Sequence, residues 1–302
     1  MKRLQTSKLD IAYLEGGSPA GQPMLLLHGW PDDPTGLSDV AERLQTHGFR
    51  TIVPWLRGFG PTRFRSPETV RDGRAVALAR DAIDLLDGLG IERCSVVGHD
   101  WGGRAAYNLA ALIPDRLDMI AALAIGYAPN GRFTTPGYDQ ARRWWYQWYM
   151  NHDWGAEKVR ADPIGFAREQ WDSWSPEGWY EEAAFIQTAR SFRNPDWAAI
   201  TLHGYRSRWL PEPVDSSYDD AAGIIAGTAR LRVPTLMIQG EADACDPPAE
   251  SLEDLVWFDG PYERIVLPGI GHFPGREAAH HVADAVLRFH ARHTTTLIRR
   301  GL

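Results

Sequence analysis

The stretch "SVVGHDWGG", residues 95–103, places a carboxylate where a strand turns sharply into a helix. The run "CSVVGHD" from Cys94 predicts a short buried strand, and "GRAAYNLAALIP" from Gly103 predicts a helix. Gly98 and Gly102 have the small-x-nucleophile-x-small spacing, in which the central residue is strained and its side chain projects above the sheet. Asp100 is that central residue, where a serine is more usual. The sequence therefore predicts Asp100 as a nucleophile.

Strand and helix patterns alternate on both sides of this turn. The predicted strands begin near Pro23, Arg50, Cys94, Leu117, Pro234 and Glu263, and the predicted helices near Glu68, Gly103 and Arg276. Alternation of this kind is typical of an α/β protein with a mostly parallel central sheet flanked by helices. The two halves of the pattern, residues 1–127 and 231–302, predict one core domain.

The segment between these halves, residues 128–230, has a different composition. Runs of β-branched residues vanish, and nine of the thirteen tryptophans fall here: Trp144, Trp145, Trp148, Trp154, Trp171, Trp174, Trp179, Trp197 and Trp209. We therefore expect an inserted, all-helical cap domain with an aromatic face. In "DQARRWWYQWYM" from Asp139, helical spacing predicts that Trp144, Trp145 and Trp148 share one buried stripe.

Composition and charge exclude several classes of partner. The chain has 302 residues and a net charge of -7 without a basic cluster, which argues against nucleic acid or an anionic membrane surface as a partner. The longest apolar stretch, "MIAALAI", is far too short to span a bilayer. Cys94 and Cys245 are expected to be free thiols, and no Cys/His cluster has zinc-site spacing. We expect a cytoplasmic protein, monomeric or homodimeric, that acts on small molecules.

Two backbone amides are candidates for an oxyanion hole. The motif "HGWP", residues 28–31, follows the predicted strand "MLLL" directly. The turn after that strand and the residue after the nucleophile are the positions that supply amides to a developing oxyanion. This nominates the amides of Trp30 and Trp101.

The remaining catalytic candidates are an acid and a base. Asp243 follows the predicted strand "PTLMIQG", and His272 lies in the loop "PGIGHF" after the next strand. The chain order is then nucleophile Asp100, acid Asp243 and base His272, one of the known orders of a catalytic triad. Asp246, in "DACDPP", is the alternative acid, but Asp243 lies nearer the strand end, where a loop holds a side chain best.

The motifs "HGWP", "GHDWGG", "GEAD" and "GIGHF" resemble the epoxide hydrolase branch of the α/β-hydrolase family. The resemblance implies the α/β-hydrolase fold and two cap tyrosines. "YQWYMNHDWGAE" is similar to the segment with the first tyrosine, which would be Tyr149, and "HGYRSRW" to the segment with the second, Tyr205. Tyr146 is the alternative for either position. The sequence departs from the family at "PWLRGFGPT", where Trp55 replaces the usual aspartate.

An aspartate nucleophile suits reactions at saturated carbon, because its alkylated product is an ester that water can hydrolyse. We expect an epoxide and water as reactants, a vicinal diol as product, and no metal or organic cofactor. Tyr149 and Tyr205 would assist the departing oxygen. One alternative is a haloalkane or haloacid dehalogenase, with indole or amide N–H groups of Trp101 and Trp30 on the halide. The other is a non-catalytic, ligand-sensing member of the fold.

Overall fold

A nine-stranded mixed sheet forms the centre of the computed structural model, which describes residues 1–128 and 134–294. The strands are β1 (Lys2–Gln5), β2 (Leu9–Gly16), β3 (Gln22–Leu27), β4 (Phe49–Pro54), β5 (Arg63–Phe64), β6 (Cys94–His99), β7 (Leu117–Leu123), β8 (Thr235–Gly240) and β9 (Tyr262–Leu267). Their order is β1-β2-β4-β3-β6-β7-β8-β9, with β5 beside β2. All pairs from β4 to β9 are parallel. The predicted mostly parallel sheet is confirmed.

One edge of the sheet is formed by β1, β2 and β5, three strands that the sequence analysis did not predict. Strand β2 pairs antiparallel with β1, β4 and β5. The sheet is therefore mixed, and its antiparallel part lies at the amino-terminal edge, on the far side of β4 from β6.

Helices cover both faces of the sheet. The core helices are α1 (Ser38–Thr46), α2 (Ala75–Gly88), α3 (Trp101–Leu112), α11 (Pro274–Glu277) and α12 (Ala279–His293). Successive residues of a strand point to opposite faces. In β3, Leu26 accordingly packs in the layer with α1 and α12, whereas Leu25 and Leu27 pack in the layer with α2 and α3. This sandwich fixes the carboxyl ends of β3, β6, β8 and β9 along one edge.

Between β7 and β8, the described residues form seven further α-helices: α4 (Tyr138–Arg143), α5 (Trp145–Asn151), α6 (Asp153–Ala161), α7 (Pro163–Ser173), α8 (Glu182–Ala189), α9 (Trp197–Arg206) and α10 (Asp219–Gly227). We call residues 138–227 the helical insertion. The proposed domain boundaries at 127/128 and 230/231 stay a prediction. In the described part of the chain, every helix is too short or too polar to cross a lipid bilayer.

The helical insertion is joined to the core by tryptophan side chains. The Trp171 indole donates a 2.7 Å hydrogen bond to the Pro31 carbonyl, and the Trp30 indole donates a 2.9 Å bond to Thr201 Oγ1. These two bonds run in opposite directions between insertion and core, and they hold helices α7 and α9 over the turn after β3.

The prediction that Trp144, Trp145 and Trp148 share one buried helical stripe is wrong. The helix is interrupted at Trp144, so α4 and α5 are separate helices, and Trp145 is 39% exposed. The face of α5 that is buried carries Tyr146, Gln147 and Met150 instead. Because the ψ of Trp144 is 24°, outside the helical range, a single helical phase across residues 139–150 is lost.

Candidate active site

Asp100 lies between β6 and α3 in a strained backbone conformation. Its φ is 46° and its ψ is -110°, a region that L-residues rarely adopt. The flanking glycines are needed sterically, because a Cβ on Gly98 would lie 2.1 Å from the Gly102 carbonyl oxygen, and a Cβ on Gly102 would lie 2.1 Å from that of Leu27. Strain of this size persists only where the surrounding structure enforces it, and it is concentrated at functional sites.

The Trp30 amide holds one oxygen of this carboxylate. It donates a 2.8 Å hydrogen bond to Asp100 Oδ1. The turn that carries it is fixed by His28, whose Nδ1 bonds the Gly29 carbonyl at 2.9 Å and whose Nε2 accepts the Leu56 amide at 3.1 Å. Burial lowers the pKa of His28. His28 is thus a neutral anchor for the turn.

The Trp101 amide is on the other side of Asp100, at the first residue of α3. Amides in the first turn of a helix have no intrahelical acceptor, and they carry the positive end of the helix dipole. Of the two amides nominated from the sequence, that of Trp30 is bonded to the Asp100 carboxylate, and that of Trp101 follows Asp100 directly in the chain. Their role as an oxyanion hole stays a prediction.

His272 and Asp243 form a buried pair. His272 Nδ1 and Asp243 Oδ2 are 2.9 Å apart. The other Asp243 oxygen accepts the amides of Cys245 and Asp246 at 2.8 and 2.9 Å, so both oxygens of this carboxylate are fixed. The histidine backbone is held as well, because its amide donates to Ser175 Oγ at 2.8 Å.

The alternative acid occupies a different position. The carboxylate of Asp246 accepts a 3.3 Å bond from Gln140 Nε2 of the helical insertion. Burial, together with the nearby charge of Asp243, raises the pKa of Asp246 to about 6. The structure therefore pairs Asp243 with the His272 ring and places Asp246 beside that pair.

Electrostatics set the protonation of His272. Burial disfavours its charged form, but the charge and hydrogen bond of Asp243 and the charge of Asp100 outweigh this effect and raise its pKa to about 9. Its Nε2 lies 3.9 Å from Asp100 Oδ2. The imidazole thus lies between two carboxylates, with Nδ1 bonded to one and Nε2 facing the other.

Aromatic side chains from the helical insertion enclose this site. Among the described residues, the Trp30 ring contacts six other aromatic rings: Trp101, Tyr146, Phe166, Trp174, Trp197 and Tyr205. The rings of Trp174 and His272 also pack edge to face, with centroids 4.7 Å apart. The expected apolar, aromatic cover is present. Its tryptophans are Trp174 and Trp197, and not the three of the expected stripe.

Two tyrosines belong to this enclosure. The ring of Tyr205, on α9, lies 4.9 Å from Trp30 and 5.5 Å from Trp101, and the ring of Tyr146, on α5, lies 5.2 Å from Tyr205. Burial, and for Tyr205 also the Asp100 charge, raises the pKa of both phenols well above the usual value. Both hydroxyls therefore stay protonated and able to donate.

Tyr149 lies one helical turn farther along α5 and contacts different neighbours. Its ring packs against Trp145, Trp154 and Phe166. Among the described residues it makes no ring contact with Trp30, Trp101 or Tyr205, whereas Tyr146 contacts two of these three. The structure thus brings together Tyr146 and Tyr205, the pair that contains the alternative residue. The catalytic role of each tyrosine stays a prediction.

Two contacts at this site carry no signal in the sequence. Trp174 and Ser175 are adjacent in the loop after α7, and they touch the ring and the amide of His272. Nearly a hundred residues separate them from the histidine, so only the packing of the insertion on the core reveals them.

Within residues 1–128 and 134–294, no three His, Cys, Asp or Glu side chains are placed to hold a metal ion together.

Comparison with known proteins identifies the family. The model of a family described as the alpha/beta hydrolase fold matches residues 22–278, most of the chain. The chain belongs to this alpha/beta hydrolase fold family. The predicted fold class is therefore confirmed.

Relatives within this family share a name. Epoxide hydrolase A of Mycobacterium tuberculosis is 24% identical over 95% of both chains. A Klebsiella pneumoniae protein with a provisional assignment as an epoxide hydrolase has a crystal structure that is 35% identical. It superposes with a TM-score of 0.90, over 96% of this chain and 97% of that one. A Pseudomonas aeruginosa structure with the same provisional assignment is 26% identical. It superposes with a TM-score of 0.80, over 98% of this chain and 96% of that one. The resemblance to epoxide hydrolases seen in the motifs is confirmed.

Proposed function

We propose that this alpha/beta hydrolase opens an epoxide to a vicinal diol through a covalent ester on Asp100. The observation that supports this most strongly is the geometry around that carboxylate. Asp100 projects from a strained turn, its Oδ1 accepts the Trp30 amide, and its Oδ2 faces the His272–Asp243 pair. The names of the related proteins point to the same activity.

In the first half-reaction, Asp100 Oδ2 attacks a ring carbon of the epoxide, a C–O ester bond forms, and the ring C–O bond breaks. Because Oδ1 is held by the Trp30 amide, attack through Oδ2 leaves Oδ1 as the ester carbonyl oxygen without any rearrangement. The developing alkoxide is a poor leaving group in water. Tyr205 and Tyr146 donate their hydrogen bonds to it, and one of them transfers a proton.

In the second half-reaction, His272 takes a proton from a water molecule, which attacks the Asp100 carbonyl carbon. The amides of Trp30 and Trp101 stabilise the oxyanion on Oδ1, and Asp243 stabilises the imidazolium. Collapse of the intermediate breaks the ester bond, and the departing oxygen of the diol receives the proton from His272. The second proton of the attacking water remains on the Asp100 carboxyl group. It then passes to the tyrosine and replaces the proton that the tyrosine gave to the alkoxide. These steps use only an epoxide and water.

The cytoplasmic location and the monomeric or homodimeric state of the protein stay predictions.

The dehalogenase alternative has one observation in its favour. The Trp101 indole N–H is buried, lies near Tyr205, and makes no hydrogen bond of good geometry within the described residues. A halide leaving as an anion from Asp100 would accept such a donor. The Trp30 indole, the other donor expected for a halide, is instead bonded to Thr201. With one indole engaged, and with the Tyr205 phenol close enough to feel the charge of Asp100, epoxide opening is the better fit.

The test compares styrene oxide with a bromoalkane, read as diol formed and bromide released. The parent protein should form diol much faster than it releases bromide. His272→Gln should stop at the first half-reaction, so denaturing mass spectrometry should find the mass of the epoxide added to the peptide that contains Asp100. Asp100→Ala is the matched control and should show no adduct. An adduct on any other residue, or bromide as the faster product, would contradict the proposal.

A further inference from the structure

The Tyr146 hydroxyl has a buried hydrogen-bond partner that the proposed mechanism does not use. The side-chain amide nitrogen of Gln147 lies 3.2 Å from Tyr146 Oη and donates to it. Both residues belong to α5, and Gln147 is 1% exposed. A glutamine buried this completely is normally hydrogen-bonded through its amide. What the amide does for Tyr146 depends on which way its oxygen and nitrogen point.

A tryptophan that follows α9 fixes the orientation of this amide. The Trp209 indole donates a 2.9 Å hydrogen bond to Gln147 Oε1. An indole N–H donates and cannot accept, whereas a glutamine amide has an acceptor oxygen on one side and a donor NH₂ group on the other. The amide oxygen must therefore face Trp209, which leaves the NH₂ group facing Tyr146. The opposite orientation would place two donors against each other.

Trp209 is held in place by two other tryptophans of the helical insertion. Its ring centroid lies 4.9 Å from that of Trp148 and 6.3 Å from that of Trp144. Trp148 uses its own indole N–H on the Ala141 carbonyl, at 2.7 Å. The packing of these rings keeps the Trp209 indole against the Gln147 oxygen.

The direction of these hydrogen bonds decides where the Tyr146 proton points. Because the Gln147 NH₂ group donates to Tyr146 Oη, the phenol cannot donate to Gln147. The other hydrogen-bond contact of this hydroxyl, within the described part of the chain, is with Cys245 Sγ at 3.7 Å. Burial raises the pKa of the Cys245 thiol well above its usual value, so the sulfur stays protonated and is a weak acceptor. An epoxide oxygen would be a stronger acceptor for the Tyr146 proton.

We infer that Gln147 is a positioning residue for Tyr146 and that Trp209 orients it. We call the chain from the Trp209 indole through the Gln147 amide to the Tyr146 hydroxyl the relay. The relay presents the Tyr146 proton to the epoxide oxygen. It also stabilises the negative charge that develops on the phenol oxygen during proton transfer, because the Gln147 N–H remains bonded to that oxygen. The inference rests on the proposed epoxide hydrolase activity, in which Tyr146 assists the departing oxygen.

The test measures the rate of Asp100 alkylation by styrene oxide in single turnovers. Gln147→Met keeps a side chain of similar size without the amide donor, and should lower this rate about fivefold, the scale of one neutral hydrogen bond. The deciding comparison repeats the change in Tyr146→Phe, where no hydroxyl remains to be positioned. There, Gln147→Met should change the rate by less than about twofold. An equal loss in both backgrounds would mean that Gln147 acts through packing, and would overturn the inference.

Trp209→Phe and Trp148→Phe are a matched pair. Each removes an indole from the same aromatic cluster, but Trp209 donates to Gln147 and Trp148 donates to the Ala141 carbonyl. Trp209→Phe allows the Gln147 amide to turn over and should slow alkylation about threefold, part of the effect of losing the amide donor. Trp148→Phe should leave the rate unchanged. Equal losses in the two variants would show that ring packing matters and the relay does not.

A binding measurement separates failure of the relay from failure of the reaction. The probe is phenylacetamide, whose carbonyl oxygen can accept the Tyr146 hydrogen bond but which Asp100 cannot alkylate. Quenching of tryptophan fluorescence reports its binding, because the Trp30 ring lies 5.8 Å from that of Tyr146.

Gln147→Met should bind phenylacetamide about fivefold more weakly than the parent, and should cause no further loss in Tyr146→Phe. If no epoxide is hydrolysed but this pattern is obtained, the proposed function fails and the relay stands. Equal binding by the parent and Gln147→Met, including no binding by either, would overturn the relay. The epoxide hydrolase activity would then still stand wherever diol is formed.

Discussion

His272 Nε2 and Asp100 Oδ2 are 3.9 Å apart, too far for a hydrogen bond and close enough for each charge to influence the other. A water molecule that lies to one side of these two atoms can hydrogen-bond to both of them. The same spacing lets the charge of Asp100 help to hold His272 in its protonated form. In the proposed mechanism, alkylation would turn Asp100 into a neutral ester and remove that support. The first half-reaction would then prepare His272 to act as a base in the second.

This coupling predicts that Asp100→Asn lowers the pKa of His272 from its value of about 9. The sign follows from the charge, because a nearby anion favours the imidazolium and a neutral amide does not. The measurement is an NMR titration of the His272 ring in the parent and in the variant. Asp284→Asn, which removes an exposed carboxylate on α12, is the control and should leave this pKa unchanged. An unchanged or higher pKa in Asp100→Asn would disprove the coupling.

The choice of acid gives the second prediction. Asp243→Asn removes the carboxylate that orients His272, so ester hydrolysis should slow by on the order of 10³-fold or more while alkylation of Asp100 continues. The intermediate should accumulate in rapid-quench experiments read by mass spectrometry.

Asp246→Asn is the matched comparison, three residues away. Its carboxylate is bonded to Gln140 and not to the His272 ring, so hydrolysis should slow by less than about tenfold. If Asp246→Asn traps the intermediate and Asp243→Asn does not, the assignment of the acid is reversed.

The tyrosines give the third prediction, with a control within one helix. Tyr205→Phe and Tyr146→Phe should each slow alkylation by an epoxide, and the double variant should lose on the order of 10²-fold or more, the usual scale of general-acid assistance. Tyr149→Phe should have little effect, because its ring packs against Trp154 and Phe166. Single-turnover kinetics isolate this step. A large loss in Tyr149→Phe with none in Tyr146→Phe would restore the pair expected from the sequence.

The parts of the site that the sequence predicts are those set by local spacing. The positions of Asp100, the Trp30 amide and the Asp243–His272 pair follow from strand ends, since the carboxyl ends of parallel strands meet at one edge of a sheet. Each of these residues lies within a few positions of a strand that its own sequence marks clearly. No long-range packing is needed to place them.

The parts that the sequence does not predict depend on packing or on weak patterns. The break at Trp144 changes which residues of α5 face the core, and a periodicity argument cannot detect it. The nomination of Tyr149 rests on the resemblance of a short segment to the family, which carries no information on that packing. Strand β1 is almost fully exposed and has no apolar run, so nothing in it marks a strand.

The last prediction concerns the stability of the turn that follows β4. Arg57, in the "LRGFG" segment, is fully buried and bonds both Asp81 oxygens at 2.6 Å and Tyr218 Oη at 2.8 Å. Burial disfavours the charged forms of both groups. For Asp81 burial has the larger effect and raises the pKa, whereas for Arg57 the attraction to Asp81 outweighs burial and raises the pKa. The pair joins this turn to α2.

Arg57→Met leaves Asp81 buried without its cation and should lower the free energy of unfolding by about 3–5 kcal/mol. The double variant Arg57→Met/Asp81→Leu removes both charges and should recover most of that loss, because replacing a buried pair by apolar side chains is often close to neutral. Urea unfolding of the parent, both single variants and the double variant gives the coupling free energy of the pair. If the double variant is as unstable as the sum of the two single changes, the ion pair makes no net contribution. In that case hydrophobic packing around the turn is what holds it against α2.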